Sequence, residues 1–240
     1  MDISLNLGSM FKIRFYNIHN TIMNILELFS GTGSVGKCCK NLGFNVISVD
    51  LVSQSTHQTD IMNFDYKQYP TDYFSLIWGS PPCQYYSHLQ CSRLNRLNKK
   101  TGIIFTKEVW ENHMKNSDKL VLKTLEIINY FKPELWFIEN PQSGQLKYRN
   151  IMKDIPFYDV DYCKYSNWGY RKRTRIWTNK KEFNNKLCKA DCGQICPGTK
   201  RHINNLGNQI QRNITGQKHI FTLQEKYRIP PDLIYSLICD

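Results

Sequence analysis

The chain has 240 residues, of which 41% are hydrophobic, and it carries a formal net charge of +12. That length supports one sizeable domain with a buried core, and no apolar run is long enough for a membrane span or a signal peptide. We therefore expect a soluble intracellular protein without a membrane partner, in the cytoplasm, the nucleoid or the nucleus. The excess of positive charge favours nucleic acid as a partner. The nine cysteines favour free or metal-bound thiols over a secreted disulfide framework.

Short apolar runs alternate with helical stretches in the first 140 residues. Four strands are predicted, at residues 24–29, 45–50, 75–78 and 135–138. One helix follows the first strand and runs through residues 38–40. A second helix is predicted to start with Ser117 as its N-cap, to bury a face that contains Val121, and to end at Pro133. Strands separated by helices predict βαβ units and a mostly parallel sheet with helices on both faces.

Polar or reactive residues follow four of the predicted strands. They are Phe29 to Gly31, Asp50, Ser80 to Gln84, and Glu139 to Pro141. In a parallel sheet, ligands bind beyond the carboxyl ends of the strands. We therefore expect these four clusters to meet at one edge of the sheet and to form the functional site.

The turn after the first strand indicates a nucleotide-like cofactor. Gly31 to Gly36 match the pattern G-x-G-x-x-G, and Asp50 ends the next strand at the spacing of a ribose-binding carboxylate. Such a turn suits either a nicotinamide dinucleotide or S-adenosylmethionine. Glu27 adds a negative charge just before the turn, which favours a sulfonium over a pyrophosphate. On these residues alone, a nicotinamide-dependent dehydrogenase stays open.

Cys83 lies in the sequence WGSPPCQYYSH, directly after the third predicted strand. Pro81 and Pro82 fix the backbone φ at two successive positions and end the strand. A structural cysteine would more often lie within an apolar run. The pattern therefore predicts a reactive thiol that is held rigidly at the edge of the sheet.

Between Ile25 and Trp177 the chain resembles the cytosine-C5 DNA methyltransferases. Four segments carry the resemblance, and they occur in the order seen in that family: Glu27 to Gly33, Ser80 to Gln84, Glu139 to Pro141, and Arg173 to Arg175. The form is similar to compact members from bacteriophages and large viruses, which would place the protein in a host cell. The resemblance implies a Rossmann-like, S-adenosylmethionine-dependent methyltransferase fold of the α/β class with a small C-terminal annex.

The resemblance also implies a division of the chain into three parts. Residues 1–22 would be an N-terminal extension, residues 23–180 the catalytic domain, and residues 181–240 an annex that is a reduced target-recognition or pocket-closing segment. Part of the extension resembles a leader left by a fusion tag, since Gly8-Ser9-Met10 has the form of such a joint.

The chemistry that the resemblance implies depends on Cys83. Cytosine C5 is a poor nucleophile toward a sulfonium methyl group, and addition of a thiolate at C6 converts the ring into an enamine that can attack. Cys83 would be that thiolate, and Glu139 would contact N3 and the exocyclic amine of the base. Arg175 would hold the cytosine O2, and Arg173 would help to brace the site or the DNA. The base must be flipped out of the stack, because C5 and C6 are otherwise out of reach.

The resemblance assigns further residues to the two ligands. The S-adenosylmethionine site would comprise Phe29, Ser30, Gly31, Thr32, Gly33, Asp50, Leu51, Asp60, Ile61 and Pro82. Candidates for nucleic-acid contacts, chosen for charge or for proximity to the cysteine, are Gln84, Ser87, Arg93, Arg96, Arg171 and Lys172. The long polar segment 87–117 corresponds to the loop that closes over DNA in the family.

The C-terminal part departs from the family. Only 63 residues follow Trp177, and the helix that completes the cofactor pocket is not evident, since Gly207-Asn208-Gln209 match it only in part. A capping box is predicted at Thr222 to Glu225, followed by a short closing helix after Pro231. Four residues are candidate ligands of a structural zinc ion: Cys188, Cys192, Cys196 and His202. Their spacing lacks C-x-x-C pairs, so ordinary thiols stay an alternative.

Two other functions are compatible with the same residues. One is methylation of cytosine C5 in RNA, since a relative of this family acts on transfer RNA. The other is a nucleic-acid-binding pseudoenzyme that kept the fold, although the joint presence of Cys83, Glu139 and Arg175 argues against it. The sequence makes no prediction of the oligomeric state.

Overall fold

The computed structural model describes residues 23–52, 54–204, 206, 211–212, 218–219 and 221–239. The predicted N-terminal extension and Gly207-Asn208-Gln209 lie outside these residues. The strands are β1 Asn24–Leu28, β2 Asn45–Asp50, β3 His57–Gln58, β4 Leu76–Gly79, β5 Leu135–Pro141, β6 Phe157–Asp161, β7 Arg173–Thr178, β8 Gln211–Arg212 and β9 Lys218–His219. The α-helices are α1 Ser34–Asn41, α2 Lys107–Phe131, α3 Leu223–Tyr227 and α4 Pro231–Cys239.

Seven strands form one sheet in the order β3-β2-β1-β4-β5-β7-β6. Neighbouring strands from β3 to β5 are parallel, and β7 is antiparallel to both β5 and β6. Strand β7 is thus the one reversed strand of the seven. This order, with its reversed strand next to the edge, is that of the Rossmann-like methyltransferase fold. The predicted fold class is confirmed.

The two faces of the sheet bury separate hydrophobic clusters. On one face, α2 contributes Val121 and Phe131, which pack with strand residues such as Ile77. On the other face, α1 and α4 pack together, and Cys39 and Leu233 join strand residues of that side. Each strand alternates its side chains between the two faces. The strands are therefore apolar on both sides, which made them visible as continuous apolar runs in the sequence.

Helix α2 begins much earlier than predicted. The Thr106 side chain accepts a hydrogen bond from the Val109 amide and caps the helix. Ser117 is buried in the helix interior, and its hydroxyl donates to the carbonyl oxygen of His113. The prediction that Ser117 is the N-cap is therefore wrong, because the polar first turns of α2 hide its start in the sequence. The predicted end of the helix at Pro133 is two residues beyond its observed last residue, Phe131.

The register of the sheet aligns the carboxyl ends of its central strands. Leu28, Gly79 and Ile138 lie side by side on β1, β4 and β5. The segments that follow these residues therefore emerge at one edge. No helix in the described part of the chain is long and apolar enough to cross a membrane.

Candidate active site

The turn after β1 is held in an unusual backbone conformation. Phe29, Gly31 and Gly33 have φ angles of 58°, 46° and 65°, a region that L-residues other than glycine seldom adopt. The Phe29 amide donates to the carbonyl oxygen of Val49 at 2.8 Å. The Gly31 amide donates to Asp50 Oδ2 at 2.9 Å. The end of β2 thus fixes the turn, which explains why Asp50 accompanies the glycine pattern.

Glu27 is buried below this turn at the start of α1. It is 3% exposed, and its Oε1 accepts a hydrogen bond from the Val35 amide at 3.2 Å. A β-carbon on Gly36 would come within 2.6 Å of Glu27 Oε2, so this glycine makes room for the carboxyl group. Burial raises the pKa of Glu27 to about 7, although amide hydrogen bonds from Gly36 and Val35 oppose the rise.

A cavity of about 560 Å³ opens at the carboxyl edge of the sheet. Nine of the ten residues predicted for the cofactor site line it: Phe29, Ser30, Gly31, Thr32, Asp50, Leu51, Asp60, Ile61 and Pro82. Gly33 does not line it, because it is the N-cap of α1. Among the described residues, the charged side chains of the lining are Glu27, Asp50, Asp60, Glu139 and Lys172. Four carboxyl groups and one ammonium group favour a cationic ligand over a pyrophosphate.

Cys83 and Glu139 line the same cavity as the nine residues predicted to bind the cofactor. The segment of Cys83 is anchored to β5, because the Asn140 amide nitrogen donates to the carbonyl oxygen of Pro81 at 2.8 Å. Burial raises the pKa of the Cys83 thiol above its ordinary value, the Glu139 carboxylate raises it further, and the Lys172 ammonium opposes the rise. The cysteine is therefore within electrostatic reach of both side chains.

Glu139 has two polar partners that were not predicted for it. The Tyr162 hydroxyl donates to Glu139 Oε1 at 3.1 Å, and Lys172 Nζ lies 3.8 Å from the same oxygen. Lys172 Nζ also donates to the carbonyl oxygen of Lys226 at 3.3 Å. Lys172 was predicted as a nucleic-acid contact, yet the structure places it inside the cavity. Tyr162 carried no signal in the sequence, since a tyrosine between two strands has many structural roles.

The structure does not bring Arg173 and Arg175 into the cavity. The Arg175 guanidinium pairs with Asp159 on β6 at 2.7 Å and stacks over Phe157. The Arg173 guanidinium pairs with Asp161 at 2.7 Å. Both arginines project from β7 toward the neighbouring edge strand, whose aspartates attract them. Arg175, predicted to hold the cytosine O2, and Arg173, predicted to brace the site or the DNA, thus lie outside the cavity lining. Among the described residues, Lys172 is the basic residue of that lining.

The C-terminal segment closes the cavity. Helix α3 begins with the predicted capping box, in which Thr222 and Glu225 exchange hydrogen bonds. Leu223, Tyr227 and Ile229 line the cavity. The helix that completes the cofactor pocket is not evident in the sequence, because α3 is a single helical turn with no periodic pattern, yet its residues contribute to the cavity lining.

Residues 84–105 form an ordered structure next to Cys83. Gln90 Nε2 donates to the carbonyl oxygen of Gln84 at 2.9 Å, and Arg93 donates to Gln90 Oε1 at 2.9 Å. The Arg93 guanidinium lies 4.7 Å over the Phe105 ring. Ser87 caps the short helix that leads to Arg93. Of this group, only Gln84 lines the cavity among the described residues.

A short hairpin projects from this structure. Residues 96–105 pair through backbone hydrogen bonds such as Phe105 N to Arg96 O at 3.0 Å, with a bridge between Leu97 and Ile104. Arg96 and the tip residues Lys99 and Lys100 are exposed. The segment predicted as a loop from 87 to 117 is thus part hairpin and part helix α2. Arg171, the remaining nucleic-acid candidate, is also exposed.

Three of the four candidate zinc ligands lie together, and Cys163 takes the place predicted for Cys196. Cys188, Cys192 and His202 are joined by Cys163, and the ligand atoms of these four side chains all lie within 4.8 Å of one another. Cys196 is not in this group; its Sγ lies 3.8 Å from the backbone carbonyl oxygen of His202. The prediction missed Cys163 because it lies 25 residues before Cys188 in the sequence, and only the fold brings them together.

The comparison with known proteins decides the family. The chain is 36% identical over 221 residues to the "Probable DNA (cytosine-5)-methyltransferase" of Frog virus 3 (isolate Goorha), an alignment that covers 90% of this chain and 99% of the relative. The chain belongs to the DNA (cytosine-5)-methyltransferase family. Membership places it among the S-adenosylmethionine-dependent methyltransferases, which confirms the resemblance drawn from its motifs. No protein-family model matches the sequence.

Two solved structures are similar to this chain at much lower sequence identity. A SAM-dependent methyltransferase from Archaeoglobus fulgidus is 11% identical with a TM-score of 0.38, over 74% of this chain and 95% of that chain. The N-terminal domain of human METTL16 in complex with SAH is 8% identical with a TM-score of 0.37, over 72% of this chain and 68% of that chain.

Proposed function

We propose that this protein methylates C5 of a flipped cytosine in DNA, with S-adenosylmethionine as the methyl donor and a covalent bond between Cys83 and C6 of the base. One observation carries the proposal. Cys83 and Glu139 line the same cavity as Phe29, Asp50 and Ile61 of the cofactor turn region. A pyrimidine and a methyl donor can therefore meet in one enclosed space.

The charge of the cavity supports S-adenosylmethionine as the cofactor. Its sulfonium and its ammonium group are cationic, and three carboxyl groups line the cavity: Glu27 on β1, Asp50 at the end of β2 and Asp60 after β3. A nicotinamide dinucleotide would bring a pyrophosphate to these carboxylates, which would repel it. The dehydrogenase alternative is disfavoured for this reason, and also because it has no use for Cys83.

In the proposed reaction the Cys83 thiolate adds to C6 of the base. Electron density then moves toward N3, where Glu139 holds or donates a proton. C5 attacks the methyl group, S-adenosylhomocysteine leaves, and loss of the C5 proton and of the thiolate from C6 restores the aromatic ring. Tyr162 and Lys172 support this step, because they lie 3.1 Å and 3.8 Å from Glu139 Oε1.

The thiol of the free protein must lose a proton before it can attack. Its pKa lies above the ordinary value because of burial and the Glu139 charge. Lys172 favours the thiolate, and proton uptake by Glu139 or by the bound base would remove the opposing negative charge. We infer that the nucleophile forms in the complex with the base, so that the resting thiol is protected from side reactions.

The hairpin of residues 96–105 is the proposed DNA-binding element beside the cavity. Lys99 and Lys100 are exposed at its tip, where they can neutralise phosphates. Replacing both by glutamine should weaken DNA binding and reduce its dependence on salt. The matched control is Lys180→Gln with Lys181→Gln, at the end of β7 that lies at the opposite edge of the sheet. Equal weakening by both pairs would contradict a role of the hairpin.

The proposal is tested with nucleic acid that contains 5-fluorocytosine. Fluorine replaces the C5 proton that must be lost in the last step. After transfer of the labelled methyl group and departure of S-adenosylhomocysteine, the enzyme and the methylated base should therefore stay joined through the bond between Cys83 and C6. We expect an adduct on DNA with the native protein and none with Cys83→Ser, while both bind the cofactor. The matched control is Cys91→Ser, an exposed cysteine outside the cavity.

The same experiment separates the alternatives. An adduct on RNA and not on DNA would replace the proposed substrate. Cofactor binding with no adduct on either polymer would favour a pseudoenzyme that kept the fold. An adduct that survives Cys83→Ser would refute the assignment of the nucleophile.

A further inference from the structure

We propose that Cys163, Cys188, Cys192 and His202 bind one zinc ion, which joins the segment of residues 188–204 to the main sheet. The site is separate from the cavity that contains Cys83, and none of its four residues lines that cavity in the described part of the chain. Three thiolates and one imidazole form one of the usual ligand sets of structural zinc.

The distances argue for coordination rather than hydrogen bonding. Nε2 of His202 lies 3.2 Å from Cys163 Sγ, 3.4 Å from Cys192 Sγ and 3.6 Å from Cys188 Sγ. An imidazole nitrogen has one donor or acceptor direction, in the plane of the ring, so it cannot serve three sulfur atoms. Around a tetrahedral zinc ion, with the usual Zn–S and Zn–N bond lengths, a sulfur and a nitrogen are about 3.6 Å apart. The three distances fit the edges of such a tetrahedron.

The surrounding chain is built to hold these ligands. The Cys188 amide donates to Asp161 Oδ2 at 2.8 Å. The Gln194 amide nitrogen donates to the carbonyl oxygens of Cys163 at 3.0 Å and Ser166 at 2.6 Å. The Asn204 amide donates to the carbonyl oxygen of Gly169 at 2.7 Å. The ligands therefore come from two segments, residues 161–169 and residues 188–204, which are connected by hydrogen bonds on both sides of the proposed ion.

The segment needs such a fastening because it has almost no core of its own. Between residues 188 and 204 only Cys188 is buried, and the regular structure is limited to a bridge between Ile195 and His202. Small units with little core are commonly stabilised by a metal or by disulfides. The pairing of Cys188 with Cys192 follows the C-x₃-C spacing, which lies within the range used by zinc sites.

The proposed ion is linked to Glu139 through Tyr162, the neighbour of Cys163 in the chain. Cys163 follows Tyr162, whose hydroxyl donates to Glu139 Oε1. Asp161, which accepts from the Cys188 amide, also pairs with Arg173 on β7. Zinc would thus fix the backbone from which Tyr162 reaches Glu139. This places the metal in a structural role, without a part in methyl transfer.

The test is the metal content of the full-length protein, produced with zinc in the medium and purified under reducing conditions. We expect about one zinc ion per chain by elemental analysis. After exchange for cobalt, we expect the sulfur-to-cobalt charge-transfer band and the intense visible bands of tetrahedral cobalt. Cys192→Ser and His202→Asn should lose most of the zinc and change the cobalt spectrum. Cys196→Ser, which alters a neighbouring thiol outside the set, should keep both.

If the ligand variants fail to fold, measurements on the native protein still test the proposal. Chelation of the metal should lower the unfolding temperature, and zinc should restore it. The proposal is overturned by native protein that contains no stoichiometric zinc and gives no cobalt–thiolate band. It is also overturned by a mass that shows a disulfide in this group under reducing conditions, or by equal zinc loss in Cys196→Ser and Cys192→Ser. None of these outcomes depends on methyl transfer.

Discussion

Replacing Tyr162 by phenylalanine removes one hydroxyl group from the proposed active site and changes little else. Tyr162 is fully buried, and its hydroxyl lies 3.1 Å from Glu139 Oε1. Lys172 Nζ, at 3.8 Å from the same oxygen, is too far away to replace the hydrogen bond. A hydrogen bond to a charged group contributes about 1.5–3 kcal/mol. If this bond positions Glu139 against the base, its loss should slow methyl transfer about 10- to 150-fold.

The matched control is Tyr86→Phe. Tyr86 is also fully buried, and its hydroxyl donates to a carboxylate, Asp118, at 2.8 Å. Tyr86 does not line the cavity in the described part of the chain. Both variants should therefore lower the unfolding temperature by similar amounts, whereas only Tyr162→Phe should reduce the rate constant of methyl transfer.

The assay is single-turnover methyl transfer to cytosine-containing DNA, with cofactor affinity measured separately by calorimetry. We expect Tyr162→Phe to keep the affinity for S-adenosylmethionine and to form the 5-fluorocytosine adduct more slowly. A rate constant of methyl transfer within about twofold of the native value would refute the reasoning, because the expected loss is at least about tenfold. Equal loss in Tyr86→Phe would show that the effect is structural.

Three further predictions concern the cavity and its closure. The pKa of Glu27 is raised to about 7. The folded state therefore binds a proton at Glu27 more tightly than the unfolded chain does. The stability gained in this way is complete below the pH range in which an ordinary glutamate titrates, and it is lost as the pH rises to about 7. In Glu27→Gln, the free energy of unfolding, measured with denaturant between pH 4 and 8, should no longer fall in this way. The variant should also bind S-adenosylmethionine more weakly at pH 8. A pH dependence of stability equal to that of the native protein would contradict the role of Glu27. Thr222→Ala breaks the capping box and destabilises helix α3 by about 1 kcal/mol. Because α3 contributes to the cavity lining, calorimetry should show about fivefold weaker binding of the cofactor. Unchanged binding would exclude a role of α3 in the cofactor site. The raised pKa of Cys83 predicts slow alkylation of this residue near neutral pH, as followed by peptide mass spectrometry, with a rise beyond the ordinary thiol range. Lys172→Gln should slow alkylation of Cys83 further, and faster alkylation would show that Lys172 does not favour the thiolate.

Local sequence was sufficient wherever the site is built from contiguous residues. The turn from Phe29 to Gly33 and the segment from Pro81 to Gln84 have backbone conformations that few residue types adopt, so their glycines and prolines indicate these conformations in the sequence. The capping box at Thr222 belongs to the same class. Because each strand of a parallel sheet delivers its carboxyl end to one edge, the meeting of these segments also followed from their order in the chain.

Residues that act through distant partners were not predictable in this way. Tyr162 and Cys163 lie next to each other in the sequence, yet the first contacts Glu139 and the second joins Cys188 and His202. Arg175 was assigned to the base by its motif, but the structure pairs it with Asp159 on the neighbouring strand. A side chain on β7 has two neighbours across the sheet, and a motif does not say which of them it will contact.

The sequence by itself determined the α/β fold, the conformation of the glycine-rich turn and the place of Cys83, the proposed nucleophile, because short-range backbone geometry and strand order govern these features. The tertiary structure alone decided which charged groups share the cavity. It set Lys172 and Tyr162 beside Glu139, diverted the arginines to the edge strand, and gathered three thiols around one imidazole. The physical reason is that electrostatic and coordinative partners are selected by distance in space, which separation along the chain does not encode.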